Sequence, residues 1–136
     1  MTNLISAVQA ALDGSVSHAG ETVPVYVRGH VGDEVPAIVI ERPETDGTEY
    51  MDGSSTQSPR LRVRVHDRKG NTHGGVAWYV MRSAEIANKT HDVLNQGVSV
   101  DGSTIAFLEP NRRPVTYEVE GQSASDLILL YDLFLP

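Results

Sequence analysis

The amino-acid sequence predicts an α+β fold, in which one long helix packs on a mainly antiparallel sheet beside a short N-terminal helix. The first observation is an apolar stripe at helical spacing within residues 75–95. The second is a series of short β-branched segments, which flank this stripe on both sides and are separated by turn residues. The third is a length of 136 residues without internal repeats, which fits one domain with its own core. We therefore expect a single domain over residues 1–136.

The N-terminal segment is predicted to form the short helix, over residues 3–12. Its apolar residues recur on one side of a helix, and Gly14 suits the position that follows a helix end. The apolar positions are Leu4, Val8, Ala11 and Leu12. Residues 14–20, GSVSHAG, are expected to form a loop.

Three strands are predicted before the long helix. VPVYVRG at 23–29 is rich in β-branched and aromatic residues, and VPAIVIE at 35–41 is apolar enough to be covered on both faces. Residues 60–66 alternate between polar and apolar side chains, as in a strand with one buried face. Residues 42–59 are rich in Pro, Gly, Ser, Thr and Asp, so we expect a long exposed loop or hairpin arm there.

The long helix is predicted over about residues 75–95 and is followed by further strands. VSVDGSTIAFLE at 98–109 has Asp-Gly between two β-rich runs, which favours a hairpin. VTYEVEG at 115–121 alternates, and DLILLYDLFLP at 126–136 is an apolar strand. The apolar stripe of the helix comprises Val76, Tyr79, Val80, Ser83, Ile86, Ala87, Thr90, Val93 and Leu94, and the residues expected to lie away from it are Arg82, Glu85, Lys89 and Asp92.

The alternating strand carries a row of cations in an acidic protein. Its arginines and its aliphatic residues point to opposite faces, because the side-chain period of a strand is two. The arginines are Arg60, Arg62 and Arg64, and the aliphatic residues are Leu61, Val63 and Val65. Three explanations are open: a solvated outer face, a contact with acidic residues of a neighbouring subunit or partner, and phosphate binding. Phosphate binding is the weakest, because aromatic stacking partners are few and the surrounding charge is negative.

Composition limits the classes of function. A formal net charge of −7 argues against general affinity for DNA or anionic membranes. The absence of cysteine excludes disulfide scaffolds and thiolate metal sites. No apolar run approaches the roughly 20 residues that a bilayer-spanning helix needs, so we expect no membrane association.

Histidines are the residues that could carry metal chemistry. His66-Asp67 and His91-Asp92 are two His-Asp dipeptides, and His73 lies between them. Neighbouring side chains on a strand point to opposite faces, and the second dipeptide is expected on the solvent side of the helix. Surface histidines are therefore the preferred explanation, and no metal, cofactor or catalytic residue is predicted. The alternative is a small α+β enzyme or ligand-binding domain that uses a metal through these three histidines.

The order of elements resembles the tail-completion or tail-terminator proteins of long-tailed bacteriophages. The resemblance covers most of the chain: a short helix, VPVYVRG with a glycine-rich turn, the proline-initiated strand VPAIVIE, a loop, and then RLRVRVHD. The long helix and the C-terminal strand DLILLYDLFL complete it. The histidine-rich turn HDRKGNTHGG and the long loop at 42–59 depart from the pattern that the family leads us to expect.

This resemblance implies a structural protein of the virion rather than an enzyme. Such proteins form a ring, commonly a hexamer, that caps the tail tube and joins it to the head-side connector or stopper protein. The implied protein is made in the host cytoplasm and resides in the tail or neck, where the genome passes through the ring without sequence-specific binding. Another neck or minor tail protein is a further alternative. The residues expected to contact a subunit or partner are Arg60, Arg62, Arg64, Arg112 and Arg113.

Overall fold

The computed structural model describes residues 4–27, 35–41, 60–68, 78–100, 102–119 and 121–133, except for the side chains of Trp78 and Val119. Within these ranges the protein is α+β, as predicted. The helices are α1 (Leu4–Leu12) and α2 (Trp78–Asn95). The strands are β1 (Ser17–His18), β2 (Glu21–Thr22), β3 (Val25–Val27), β4 (Ala37–Glu41), β5 (Arg60–Arg68), β6 (Val98–Val100), β7 (Ser103–Ile105), β8 (Asn111–Val119) and β9 (Gln122–Asp132). The loop or arm predicted at 42–59 lies outside the described residues.

A five-stranded sheet, in the order β3-β4-β5-β9-β8, organises the fold. β3 pairs with β4 in parallel, and each of the other three neighbouring pairs is antiparallel. β5 lies at the centre, where Val63 is opposite Ile40 on one side and Leu129 on the other. β3 and β8 are the two edge strands of this sheet.

Both helices pack on the same face of the sheet, which we call the inner face. α2 contacts β5 and β9, and α1 contacts β3, β4 and α2. The aliphatic residues of β5 lie in one hydrophobic core with residues from both helices, so the predicted alternation of this strand is confirmed. The fully buried members of that core include Val8, Leu12, Ile38, Ile40, Leu61, Val63, Val65, Ile86, Ala87, Leu94 and Leu129. The opposite face, with Arg60, Arg62 and Arg64, is the outer face.

The buried stripe of α2 contains two polar residues that satisfy their own hydrogen bonds. The hydroxyl of Ser83 donates to the carbonyl of Val80 at 2.8 Å, and that of Thr90 donates to the carbonyl of Ile86 at 2.8 Å. Local bonds of this kind let a hydroxyl be buried without another partner. The predicted stripe is confirmed at these positions and at Tyr79, whereas Val76 lies outside the described residues. In the part of the chain that the structure describes, no helix has the length and apolarity to cross a membrane.

Short hairpins surround the main sheet. The hairpin predicted in the 98–109 segment is confirmed over the described residues, since β6 and β7 pair in an antiparallel manner. The prediction of a loop at 14–20 is wrong in part, because β1 and β2 form a small hairpin there. Ala19 and Gly20, at its tip, have φ values of 52° and 83°, as two-residue hairpin turns with two left-handed positions require. β1 and β2 have two residues each, which is too short for an alternating pattern to be visible in the sequence.

Candidate interaction surface

The arginine row of β5 lies on the outer face and is paired with carboxylates of the same chain. Arg60 Nε donates to Asp132 Oδ1 at 3.0 Å on neighbouring β9. Arg62 Nη2 donates to Glu41 Oε2 at 3.0 Å on neighbouring β4. Arg60 and Arg62 therefore each have a carboxylate partner within the chain, which the sequence alone did not suggest.

Arg64 lies between two carboxylates. Its Nη1 donates to Asp126 Oδ2 at 3.3 Å. Its Nε is 2.9 Å from Glu41 Oε1, close enough for charge attraction, although the two atoms are not aligned for a hydrogen bond. Glu41 thus bridges Arg62 and Arg64, and the row is a network of charges rather than three independent cations.

A polar cluster extends this network at one end of β5. Asp126 lies opposite His66 in the register of β5 and β9, and its Oδ1 is 2.6 Å from His66 Nδ1. The Tyr117 hydroxyl donates to Asp126 Oδ2 at 2.9 Å, and Arg68 Nε donates to His66 Nε2 at 3.1 Å. Because Nε2 accepts this bond, the hydrogen-bond pattern assigns the imidazole proton to Nδ1, which donates to Asp126. His66 and Asp126 are both buried, so this cluster is fixed in place.

The cluster holds Asp126 in its ionised form. Burial raises the pKa of this carboxyl, but the hydrogen bonds from His66 and Tyr117 and the charge of Arg64 outweigh burial and lower the pKa below its ordinary value. Burial and the same carboxylate raise the pKa of the Tyr117 phenol to about 12. The cluster therefore contains a neutral phenol that donates to a charged carboxylate at neutral pH.

On the inner face, Asp67 pairs with Arg82 of α2. Asp67 has no exposed surface, and Arg82 Nε donates to its Oδ2 at 2.6 Å while Nη2 donates to Oδ1. The backbone N–H of Arg68 donates to Oδ1 at 2.8 Å. The hydrogen bond to Asp67 is the largest cause of the raised pKa of Arg82. The expectation that Arg82 lies away from the packed side of the helix is therefore wrong, because its guanidinium reaches β5.

The second His-Asp dipeptide also departs from expectation. His91 is buried, and its Nδ1 is 2.8 Å from the hydroxyl of Tyr131 on β9. Its Nε2 is 3.4 Å from Glu109 Oε2. The prediction that His66 and His91 are surface histidines is therefore wrong. They lie on opposite faces of the sheet, so these two residues do not share a site.

No metal centre emerges from the residues that the structure describes. Among them, no group of three or more histidine, aspartate or glutamate side chains could hold a metal ion. His73, the third histidine of the metal hypothesis, is not one of the described residues.

The two remaining predicted contact residues lie on opposite faces of β8. Arg112 Nε donates to Glu109 Oε1 at 3.1 Å and its Nη1 to Asn88 Oδ1 at 2.6 Å, which ties β8 to α2 on the inner side. Arg113 lies opposite Ile128 on the outer face and is exposed. Within the described ranges, no carboxylate pairs with Arg113. The five predicted arginines are thus divided between the two faces, with Arg112 alone on the inner one.

The outer face has a closed half and an open half. On β4, Ala37 and Val39 have no exposed surface. On β9 and β8, Ile128 and Leu130 are half-buried and Val115 is 39% exposed, beside Arg113. Side chains of neighbouring residues on a strand point to opposite faces. The register therefore places four side chains together on the outer face: Arg113, Val115, Ile128 and Leu130. We call them the β8–β9 patch, and they are the part of the face that is free to contact a partner.

Comparison with known proteins supports the fold alone. No protein-family model matches the chain, and no curated protein matches it. The chain is similar to a solved structure, with a TM-score of 0.50 and 14% sequence identity. The similarity covers 98% of this chain and 89% of that chain, so the two share their architecture over nearly the whole length.

Proposed function

We propose that the protein is a virion structural protein of a long-tailed bacteriophage, which forms a tail-terminator ring between the tail tube and the head-side connector. The resemblance in the order of elements suggests this role, including one long helix on a mainly antiparallel sheet. The observation that carries the proposal is the β8–β9 patch. A cationic and apolar patch on an otherwise acidic chain is a surface suited to another protein.

The edges of the sheet also favour a subunit of an assembly. β8 is a nine-residue edge strand, and its residues are mostly exposed. Long exposed edges are usually covered in proteins, because their unpaired backbone groups attract other chains. Pro114 limits direct strand addition to β8, since proline lacks the N–H that a new strand would need. Contacts through side chains of the outer face are therefore favoured over continuation of the sheet.

The charge of the chain suits a passage for DNA. A protein with a net charge of −7 repels the phosphate backbone, whereas a cationic lining would retain it. The arginine row of β5 does not alter this argument, because Arg60, Arg62 and Arg64 are neutralised by carboxylates of the same chain. We therefore propose that genomic DNA passes through the ring without specific contacts.

Deletion of the reading frame from the phage genome that encodes it tests this function. We expect the lysate to contain filled heads and separate tails, and expression of the protein in trans should restore joined particles. Electron microscopy of negatively stained lysates gives the readout. Normal joined particles in the deletion lysate would refute the proposed function. As a matched control, a silent recoding of the same reading frame should leave joining unchanged.

A further inference from the structure

We propose that the ring is held together by a contact between the β8–β9 patch of one subunit and the exposed side of α2 in the next subunit. This inference rests on the proposed function, because it names the surfaces through which copies of this chain would join. One surface has an exposed arginine and an exposed valine, and the other has exposed carboxylates and an exposed methionine.

The first surface is the β8–β9 patch. Arg113 is at its centre and is exposed, and Val115 is 39% exposed on the same face. Ile128 lies directly opposite Arg113 on β9, and Leu130 lies one pleat further along. An exposed guanidinium bordered by aliphatic side chains can bind a carboxylate while its surroundings exclude water.

The second surface is the exposed side of α2, where Asn88 accepts the bond from Arg112 and Glu85 Oε2 lies 3.5 Å from His18 Nδ1. The residues at positions 81, 85, 88 and 92 recur at intervals of four, three and four, which places them in one line along the helix. They are all exposed, and they lie opposite the buried line that contains Ile86 and Leu94. We call them the α2 stripe, which consists of Met81, Glu85, Asn88 and Asp92.

The two surfaces are complementary in charge. The β8–β9 patch carries the exposed cation of Arg113, with which no carboxylate of the described residues pairs, so the patch is positive in an acidic chain. The α2 stripe has two carboxylates, and the Arg112 guanidinium that is bound to its Asn88 is itself paired with Glu109, so the stripe is negative. Opposite potentials on two surfaces accelerate association and fix the orientation of the partners.

Their dimensions and apolar residues also correspond. Met81 and Glu85 are four residues apart, or about 6 Å along the helix. Val115 and Arg113 are two residues apart on β8, or about 7 Å along the strand. Met81, which is 61% exposed, would therefore cover Val115 when Glu85 meets Arg113. Two of the three exposed large hydrophobic side chains among the described residues are then removed from water.

The positions of the two surfaces determine the type of assembly. The patch is on the outer face of the sheet and the α2 stripe is on the helix layer that covers the inner face, so one subunit cannot join them to each other. A contact between two different surfaces leaves each subunit with one free surface of each kind. Repetition of such a contact closes a ring or extends a filament, whereas a contact between identical surfaces would stop at a dimer.

Cysteine cross-linking tests this contact, and the chain has no native cysteine to interfere. In the Met81→Cys/Val115→Cys variant, mild oxidation should link copies of the chain into a ladder of covalent oligomers. An equal mixture of the two single variants should give only covalent dimers, because each chain then carries one half of the bond. The oxidation is performed on the concentrated protein and on assembled tails, followed by non-reducing electrophoresis.

A matched control has the same number of cysteines. Ser99 is an exposed residue of β6, outside both surfaces, so the Ser99→Cys/Val115→Cys variant should give no ladder. A ladder from this control, or the lack of one from the Met81→Cys/Val115→Cys variant in both samples, would overturn the proposed contact. Disulfide dimers of Met81→Cys alone would also overturn it, since they would indicate a contact between identical surfaces.

Charge reversal provides a second test. Arg113→Glu and Glu85→Lys should each weaken self-association at least about tenfold, because each places like charges across the contact. A mixture of the two variants should form heterodimers, through the unaltered patch of one chain and the unaltered stripe of the other. Sedimentation velocity measures both effects, and equal association of wild type and Arg113→Glu would contradict the inference. Gln96→Lys, a charge change at an exposed residue beyond α2, is the control and should associate as wild type does.

The outcomes separate this contact from the proposed function. If tails contain a ring of the Met81→Cys/Val115→Cys variant but oxidation forms no cross-link in it, the function is retained and the contact is rejected. A ladder of oligomers from a protein that is absent from particles would retain the contact and reject the function.

Discussion

Leu94 is fully buried near the end of α2 and lies in the core with Val98 and Ile105 of the following hairpin. Replacement by alanine removes buried methyl groups and leaves a cavity that surrounding residues fill only in part. We expect Leu94→Ala to lower the free energy of unfolding by about 2–5 kcal/mol, as measured by urea denaturation. Leu108→Ala is the control, because Leu108 is 60% exposed and its truncation should change stability by less than about 0.5 kcal/mol. Equal effects of both substitutions would refute the assigned helix orientation.

Asp67 forms the buried ion pair between β5 and α2. Replacement of Asp67 by alanine leaves the guanidinium of Arg82 half-buried without its carboxylate, and we expect a loss of about 3–5 kcal/mol. Asp132→Ala provides the comparison, because the Arg60–Asp132 pair is exposed and such pairs contribute less than about 1 kcal/mol. Both losses are measured by thermal and urea unfolding. A loss at Asp67 as small as that at Asp132 would show that this ion pair does not hold the helix on the sheet.

The lowered pKa of Asp126 should make the free energy of unfolding depend on pH in the acidic range. Its pKa is lowered in the folded protein from an ordinary value of 3.8, so its contribution is fully present above pH 3.8 and is lost as pH falls through the native pKa. We expect the difference in unfolding free energy between wild type and Asp126→Asn to be largest above that pH and to shrink below it. Urea denaturation at a series of pH values measures this difference. A difference that is constant with pH would contradict the lowered pKa.

The burial of some of these side chains could be predicted from the sequence, and that of others could not. The alternation of Leu61, Val63 and Val65 is visible because it depends only on neighbours along the chain. The partners of His66 could not be predicted, since Asp126 lies 60 positions away and meets it only because β9 pairs with β5. His91 depends in the same way on Tyr131, which is 40 positions away. A histidine beside an aspartate gives no local signal of such burial.

At the scale of elements, Gly97 connects α2 to β6. Its φ of +94° disfavours any side chain, and an added Cβ would lie 2.6 Å from Thr104 Cγ2. We expect Gly97→Ala to destabilise the protein by more than Gly102→Ala, which has a φ of +83° but no neighbour within 4 Å of an added Cβ. The positive φ alone costs about 1–3 kcal/mol in each variant. The additional loss of stability in Gly97→Ala therefore measures the clash with Thr104.

A second substitution separates the two causes. Thr104→Ser removes the methyl group that an alanine at position 97 would meet, so it should recover part of the stability lost in Gly97→Ala. The free energy of unfolding is measured for both single variants and the double variant. No recovery in the double variant would show that the clash with Thr104 is not the cause.

The elements with a strong local pattern were predictable, and those defined by pairing were less so. The stripe of α2 is long, and its polar members Ser83 and Thr90 bond to the helix backbone. β8 begins at Asn111, before the alternating segment at 115–121 that the sequence indicates. Asn111–Pro114 does not have the pattern of a strand by itself, because Pro114 interrupts it, and its pairing with Leu127 depends on β9.

At the scale of the whole molecule, the internal pairing of the arginine row changes how a partner contact must be tested. Simultaneous replacement of Arg60, Arg62 and Arg64 would leave Glu41 and Asp126 without their cations, so a failure of assembly could follow from lost folding stability. Arg113 has no such role among the described residues. Its replacement therefore separates assembly from folding, which replacement of the arginine row does not.

The measurement that tests the proposed function most directly is a cryo-electron microscopy reconstruction of the junction between tail and head in particles made by the encoding genome. The proposal predicts a closed ring at the head-proximal end of the tail tube, into which copies of this α+β subunit fit with α2 of one copy against β8 and β9 of the next. A junction built entirely from other chains, or particles that lack this protein, would contradict the proposed function.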